Sequence, residues 1–340
     1  MFIYTQRFTT CVLRTRSCTK LVKALYSKSV QYEVKEVEIP VPWGKVAGKL
    51  WGSQNKQPIL AMHGWQDNAA SFDNIAPLIM KNTPVLAIDL PGHGLSSWLP
   101  PGFMYMELEY LLLMRRIKNH FGWEQIKILA HSLSSMTTYW YAACFPTELQ
   151  YVITLDVFKF PSFNAQSHVG YFANTIDAFF KVSEKKAVQP TYKTQSEIIK
   201  KASESFIKLD ESSLKILMTR GTTQKEDGTY VINRDPRLRI APIHSVFSQD
   251  QLEEYAKLIK CPYLIIKGDE NFFAGEEKEN FYRALEILKA ANDKVQFETI
   301  PATHHLHLTH AESTAAIIIP FLEKNCRKKY IVVRSNYMYK

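Results

Sequence analysis

The chain has 340 residues, 46% of them hydrophobic, enough to bury the core of one large α/β domain with an insertion or of two smaller domains. Its five cysteines (Cys11, Cys18, Cys144, Cys261, Cys326) are odd in number, widely spaced and without a C-x-x-C pair, which argues against a disulfide framework or a structural zinc site and fits a reducing compartment. The net charge of +9 resides in the tails: residues 1–32 hold six Lys and Arg and no acid, residues 324–340 another six and no acid, leaving a body with 30 basic against 33 acidic residues, so no nucleic-acid partner is expected.

Residues 1–31 are basic, acid-free and rich in Ser and Thr. Two readings fit: a mitochondrial transit peptide and a disordered basic leader without an address. The expected location is intracellular, mitochondrial or cytoplasmic. No apolar run is long enough to span a bilayer, so no integral membrane segment is expected.

From Tyr32 to Ile39 polar and apolar residues alternate as in a half-buried strand. Pro42-Trp43-Gly44 turns the chain and Lys45 to Gly52 returns as a second strand. Pro58 to Met62 and Pro84 to Asp89 are short continuous apolar runs, the mark of central parallel strands buried on both faces. Helical spacing follows each, from Asn74 to Met80 and from Tyr105 to His120, the latter closed by Gly122. Lys127 to Ala130 is a third buried strand, with a helix from Met136 to Ala143 after it, and Tyr151 to Asp156 is a fourth, ending in a carboxylate. From Phe158 to about Ser248 the β-α alternation stops and helix-like runs, Ser196 to Phe206 and Ser212 to Met218, precede a loop from Gly221 to Arg239. Alternation then resumes with a helix from Gln249 to Leu258, a strand from Cys261 to Lys267, a helix from Glu276 to Ala291, a strand from Lys294 to Ile300, and a last helix from Ala311 to about Lys324 bent near Pro320.

The expected architecture is therefore a mostly parallel sheet covered by helices on both faces. Residues 1–31 form the leader, 32–157 the first part of the α/β core, 158–248 a helical lid insertion, 249–325 the second part of the core and 326–340 a basic tail. Phe160, Phe163, Tyr171, Phe172, Phe179 and Phe180 would line an apolar pocket under the lid or form the lid's own core.

The order strand, Ser, helix around Ala130-His131-Ser132-Leu133-Ser134 meets the requirement of a nucleophile elbow, in which a tight turn lifts the hydroxyl off the sheet edge. Small residues replace both glycines of the usual G-x-S-x-G, and Ser134 puts a side chain where crowding or strain is expected. A serine needs a base to act as a nucleophile at neutral pH. His304 is the candidate, the first of four histidines after the last strand, at the carboxyl end of the sheet where ligands bind in open α/β folds. His305 and His307 read as packing residues and His310 as a helix-cap neighbour. No carboxylate or cysteine accompanies these histidines at ligand spacing before Glu312, so no metal is expected. Two backbone donors must hold an oxyanion. The amide of Leu133 supplies one and that of Trp65, in the His63 to Asn68 loop after a buried strand, supplies the other. Asp89 to Gly94 reads as a tight turn supporting the pocket floor.

These features resemble the α/β-hydrolase superfamily. More narrowly, VPWGKVAGKLWG, HGWQDN, DLPGHGLSS, AHSLSS, the Asn233 to Leu238 loop and the His304 loop resemble the serine hydrolase-like proteins and the related kraken-type hydrolases, over about Tyr32 to Leu322. The resemblance implies an α/β-hydrolase fold with a lid, a Ser nucleophile, a His base and no cofactor. Dehalogenases and epoxide hydrolases share the His-Gly-Trp-x-Asp-Asn style of loop but use Asp as nucleophile, and Ser132 argues against both. Most of the superfamily carries its triad acid shortly after the strand that begins near Cys261, where this chain has Asn271. Some relatives take it from the end of the strand after the elbow helix, which implies Asp156; Glu270 and Asp269 remain alternatives. The expected activity is hydrolysis of a small-molecule, ester-like substrate through an acyl-enzyme on Ser132. The rival is a non-catalytic protein of the same fold that binds an apolar ligand or a partner.

Overall fold

A computed structural model describes residues 34–81, 83–184, 189–204, 209–240, 247–270 and 273–325. The leader, the tail and Asn271 lie outside them. Among the described residues the strands are β1 Val34–Val41, β2 Gly44–Trp51, β3 Ile59–Met62, β4 Val85–Ile88, β5 Ile126–His131, β6 Leu149–Leu155, β7 Thr222–Gln224, β8 Tyr230–Ile232, β9 Tyr263–Gly268 and β10 Val295–Ile300. The helices are α1 Ala76–Ile79, α2 Glu107–His120, α3 Leu133–Cys144, α4 Ala165–Glu184, α5 Gln195–Ser203, α6 Glu211–Gly221, α7 Gln249–Leu258, α8 Gly275–Ala291, α9 Leu306–Thr309 and α10 Ala311–Asn325.

Eight strands form one sheet in the order β1-β2-β4-β3-β5-β6-β9-β10. β1, β2 and β4 pair antiparallel, and from β4 onward every pairing is parallel. Because a strand points successive side chains to opposite faces, each apolar run feeds two cores at once. Leu60, Met62, Leu86, Ile88, Ile128 and Ala130 enter one cluster, while Ile59, Ala61, Val85, Ala87, Leu129 and Ile153 enter the other. This is why these strands read as unbroken hydrophobic runs.

The order of strands puts β5 at the middle, between β3 and β6. The carboxyl ends of β3, β5 and β6 therefore open side by side, and the connections leaving them carry residues 63–68, Ser132 and Asp156. Helix α3 behind the elbow is buried nearly all round, as expected for a helix packed between a sheet and its neighbours.

Between β6 and α7 the chain leaves the sheet and builds α4, α5, α6, the β7–β8 hairpin and a 3₁₀ turn at Pro236–Arg239. The sequence gives no strand signal at 222–232, since the paired residues are Thr-Thr-Gln against Tyr-Val-Ile and only three long. The turn chemistry makes the hairpin: Gly228 has φ 80°, and Asp227 Oδ1 accepts the Thr229 N–H at 2.9 Å. The expected helix from Asn74 to Met80 is likewise reduced: a 3₁₀ turn at Ala69–Phe72 precedes it and the single-turn α1 falls within it. Asn68 starts the first of these early by accepting the Ala70 N–H.

One buried ion pair fastens this excursion to the sheet. Arg220, on α6, donates from Nε to Asp89 Oδ2 at 2.7 Å and from Nη1 to Glu36 at 2.7 Å. Asp89, at the end of β4, also accepts the N–H groups of Ala69 and Leu95, so its carboxylate organises the turn expected at the pocket floor. Burial disfavours the Arg220 charge, but Asp89 and Glu36 outweigh it and raise its pKa. Removing one member strands the other charge in the interior. Arg220→Leu is expected to lower the unfolding free energy by about 3–5 kcal/mol, read as a lower urea midpoint. Lys215→Ala, which breaks the exposed Lys215–Glu211 pair on the same helix, should leave that midpoint almost unchanged.

Candidate active site

Ser132 sits where β5 meets α3 with φ 52° and ψ −117°. Its N–H reaches the Leu155 carbonyl on β6 at 3.3 Å. The turn is closed by its small neighbours: Ser135 Oγ donates to the Ala130 carbonyl at 2.8 Å, and Ser134 Oγ donates to the His63 carbonyl at 2.6 Å. Ser134 therefore does not crowd the elbow as expected. Its hydroxyl ties the elbow to the end of β3, and the strained backbone falls on Ser132. Gly64 is required opposite, because a Cβ there would stand 3.0 Å from Ser132 Cβ and 2.9 Å from His131 Nδ1.

His304 follows β10 on the loop before α9. Its Nε2 lies 2.9 Å from Ser132 Oγ and its Nδ1 lies 2.6 Å from Asp156 Oδ2. Asp156 is fully buried just past β6, with φ 71°. Its second oxygen, Oδ1, accepts the N–H of Gly268 at 3.1 Å, which fixes the carboxylate. Gly268 cannot carry a side chain, since a Cβ would meet the Ala302 carbonyl at 2.4 Å. With Nδ1–H directed at the carboxylate, Nε2 is left unprotonated toward the serine hydroxyl. Of the alternative acids, Asp269 Oδ1 accepts the Ala302 N–H at 3.1 Å and Glu270 is exposed.

Leu133 is the first residue of α3, so its N–H has no acceptor within the helix. It follows the serine directly. Across from it, the loop 63–68 is held by two histidines. His63 Nδ1–H donates to the Gly64 carbonyl at 2.7 Å while Nε2 accepts the Leu90 N–H at 3.0 Å. His93 Nδ1–H donates to the Pro91 carbonyl at 3.1 Å while Nε2 accepts the Gln66 N–H at 3.1 Å. Gln66, with φ 67°, is thereby fixed just after Trp65. Its side chain donates to the Leu238 carbonyl at 2.8 Å and Asn68 Nδ2 donates to the Leu217 carbonyl at 2.9 Å, so this loop is bonded twice to the excursion. Among the described residues, the three non-glycine positions with positive φ are Gln66, Ser132 and Asp156.

The structure brings Ser132, His304 and Asp156, all three singled out in the sequence, into contact, and beside them it places side chains for which the sequence gives no such signal. His131 Nε2 is 3.1 Å from the His304 carbonyl, holding the His304 loop against the elbow. Asp67 faces both His131 Nδ1 at 3.4 Å and His305 Nε2 at 3.2 Å. His307 Nε2 is 2.6 Å from Ser71 Oγ. Burial would raise the Asp67 carboxyl, but the opposing contacts, led by His305, hold it well below the usual range. Burial lowers His131 to about 4 and lowers His307 as well. Spacing along the histidine loop alone predicts no metal ligands, whereas the fold brings a carboxylate, Asp67, and a further imidazole, His131, from two other connections. Adjacent polar residues in loops after neighbouring strands were the available signal. His305 and His307 are indeed buried, but as polar network members rather than packing alone. His310 ends α9 and its carbonyl accepts the Thr314 N–H. Phe160 packs into the core against Trp140 and Phe247, and Phe180 is exposed.

The family model for the alpha/beta hydrolase fold matches residues 57–311. A probable serine hydrolase of Drosophila melanogaster is 36% identical over 294 residues, 85% of this chain and 88% of that one. A serine hydrolase-like protein of Mus musculus is 30% identical over 299 residues, 85% and 95% of the two chains. Among solved structures, a hypothetical protein from Pseudomonas aeruginosa superposes with a TM-score of 0.73 at 23% identity, covering 86% of this chain and all of that one. A thioesterase domain from the curacin biosynthetic pathway gives 0.68 at 20% identity, covering 84% and 99%. The chain belongs to the α/β-hydrolase fold family and, within it, to the serine hydrolase-like proteins. Among the described residues no helix is long and apolar enough to cross a membrane.

His63 and His93 are neutral in the fold, their pKa values lowered by burial from 6.5. Protonating either Nε2 would destroy its bond from Leu90 or Gln66. Once unfolded, both rings titrate normally and bind protons that the native state refuses. Their contribution is therefore complete above pH 6.5 and falls on acidification, by up to about 1.4 kcal/mol per pH unit for each ring. The thermal midpoint should drop between roughly pH 7.5 and 5, and less steeply in His93→Gln.

Proposed function

We propose that the protein is a serine hydrolase that cleaves ester-like substrates through an acyl-enzyme on Ser132. The observation that carries this reading is the unbroken path from Ser132 Oγ through His304 to Asp156, at 2.9 and 2.6 Å. In this mechanism His304 Nε2 takes the Ser132 proton as Oγ attacks the carbonyl carbon, and Asp156 stabilises the resulting imidazolium. The N–H groups of Leu133 and Trp65 receive the oxyanion. The imidazolium then protonates the departing alkoxide. Water, deprotonated by the same nitrogen, cleaves the acyl-serine to the acid and restores the hydroxyl.

Ser132 and the His304 side chain are 8% and 10% exposed, sheltered yet reachable. We assign the excursion between β6 and α7 the role of a lid. Its two bonds to the loop 63–68 support that role, because a lid in motion would pull on the Trp65 donor. The names of the serine hydrolase-like relatives support hydrolysis by serine. The rival reading is a non-catalytic binder of the same fold, and the Ser134 bond to His63 supports the catalytic reading over it because the altered elbow still holds its turn.

A fluorophosphonate probe should label the wild-type chain and not Ser132→Ala; absence of labelling in folded wild type would sink the proposal. Asp156→Asn should lower turnover of an activated ester by about 10⁴-fold, with Glu270→Gln close to wild type. The reverse pattern would move the acid to Glu270.

A further inference from the structure

Beside the Ser132 relay lies a second cluster that the proposed chemistry does not use. Asp67, His131 and His305 each offer one ligand-type atom, and these atoms lie within 4.8 Å of one another, all buried. The hydrogen bonding fixes the His131 tautomer. Its Nε2 faces the His304 carbonyl at 3.1 Å, an acceptor only, so Nε2 carries the proton. In the neutral ring Nδ1 then presents a bare lone pair. That atom is buried without a hydrogen-bond partner among the described residues and faces Asp67 Oδ2 at 3.4 Å. A lone pair held against a carboxylate in a low-dielectric interior is unfavourable unless a positive centre lies between them.

The spacing identifies what kind of centre fits. A tetrahedral Zn²⁺ with bonds of about 2.0–2.1 Å holds its ligand atoms about 3.3–3.4 Å apart. Asp67 Oδ2 is 3.4 Å from His131 Nδ1 and 3.2 Å from His305 Nε2. A metal-ligating histidine characteristically donates its other N–H to a carbonyl or carboxylate, and His131 is already arranged that way toward His304. Two imidazoles and one carboxylate form a donor set suited to zinc rather than to Mg²⁺ or Ca²⁺, which prefer all-oxygen shells.

We infer that Asp67, His131 and His305 form a buried Zn²⁺ site. The ion binds Asp67 Oδ2, His131 Nδ1 and His305 Nε2. The His305 proton moves from Nε2 to Nδ1, so both imidazoles are neutral ligands. The three ligands come from the loop after β3, the elbow and the loop after β10, so the metal staples together the segments that carry Trp65, Ser132 and His304. Neither Ser132 nor His304 is among its three ligands, and the site stands whether or not Ser132 is a nucleophile.

The test uses the full chain, stripped with a chelator and titrated with Zn²⁺ alone. Bound metal is measured after gel filtration and thermal melting is followed in parallel. About one zinc per chain and a midpoint raised by several degrees are expected. Asp67→Asn and His305→Gln should lose both effects, while His310→Gln, which alters an exposed histidine of the same loop, should keep them. Should the variants fail to fold, Co²⁺ in the wild-type chain gives a second readout, an intense visible band of tetrahedral geometry. Failure of folded wild type to retain zinc, an octahedral cobalt spectrum, or binding unchanged in both variants would overturn the site; in the first case a proton, not a metal, relieves the Asp67–His131 contact.

Discussion

The backbone at Ser132 is held in a conformation that costs a residue with a side chain about 1–3 kcal/mol, and much of the surrounding structure serves to impose it. The central position of β5 supplies rigid neighbours on both sides. Buried α3 prevents the helix that follows from shifting to relieve the turn. Ser134, Ser135 and the Ser132 amide then bond to β3, to β5 and to β6 respectively. Strain of this kind persists only when it is over-determined, and here three strands and a helix determine it together.

The polar groups around that turn form a second layer of constraint. His63 and His93 use each ring nitrogen once, one as donor and one as acceptor, so they act as fixed neutral spacers. The Asp67 cluster and the Arg220–Asp89 pair place charge nearby without leaving carboxylates unpaired. Specificity of position comes from satisfied hydrogen bonds inside a low-dielectric region, where the cost of misplacing one partner is high.

Much of this was legible in the sequence. The apolar runs of β3, β4, β5, β6 and β9 announce a parallel sheet because both of their faces are buried, and α2 after β4 and α8 after β9 each bury one apolar face. The β7–β8 hairpin was not legible, since three-residue strands rich in threonine carry no period-two pattern. At the site, Ser132 and His304 were recognisable from their positions after strands, whereas Asp156 was reached through resemblance. The Asp67–His131–His305 cluster could not be read from spacing at all, because its members are 64 and 174 residues apart and meet only when β3, β5 and β10 have formed. The excess of polar residues near strand ends was visible; which of them touch is a property of strand order.

The place of Asp156 has a consequence of another kind. A carboxylate at the end of β6 is anchored between interior strands and by the Gly268 amide, so it does not rely on the connection that follows β9. A relay of the proposed kind therefore asks no acidic residue of that connection, and Asn271 there is compatible with it.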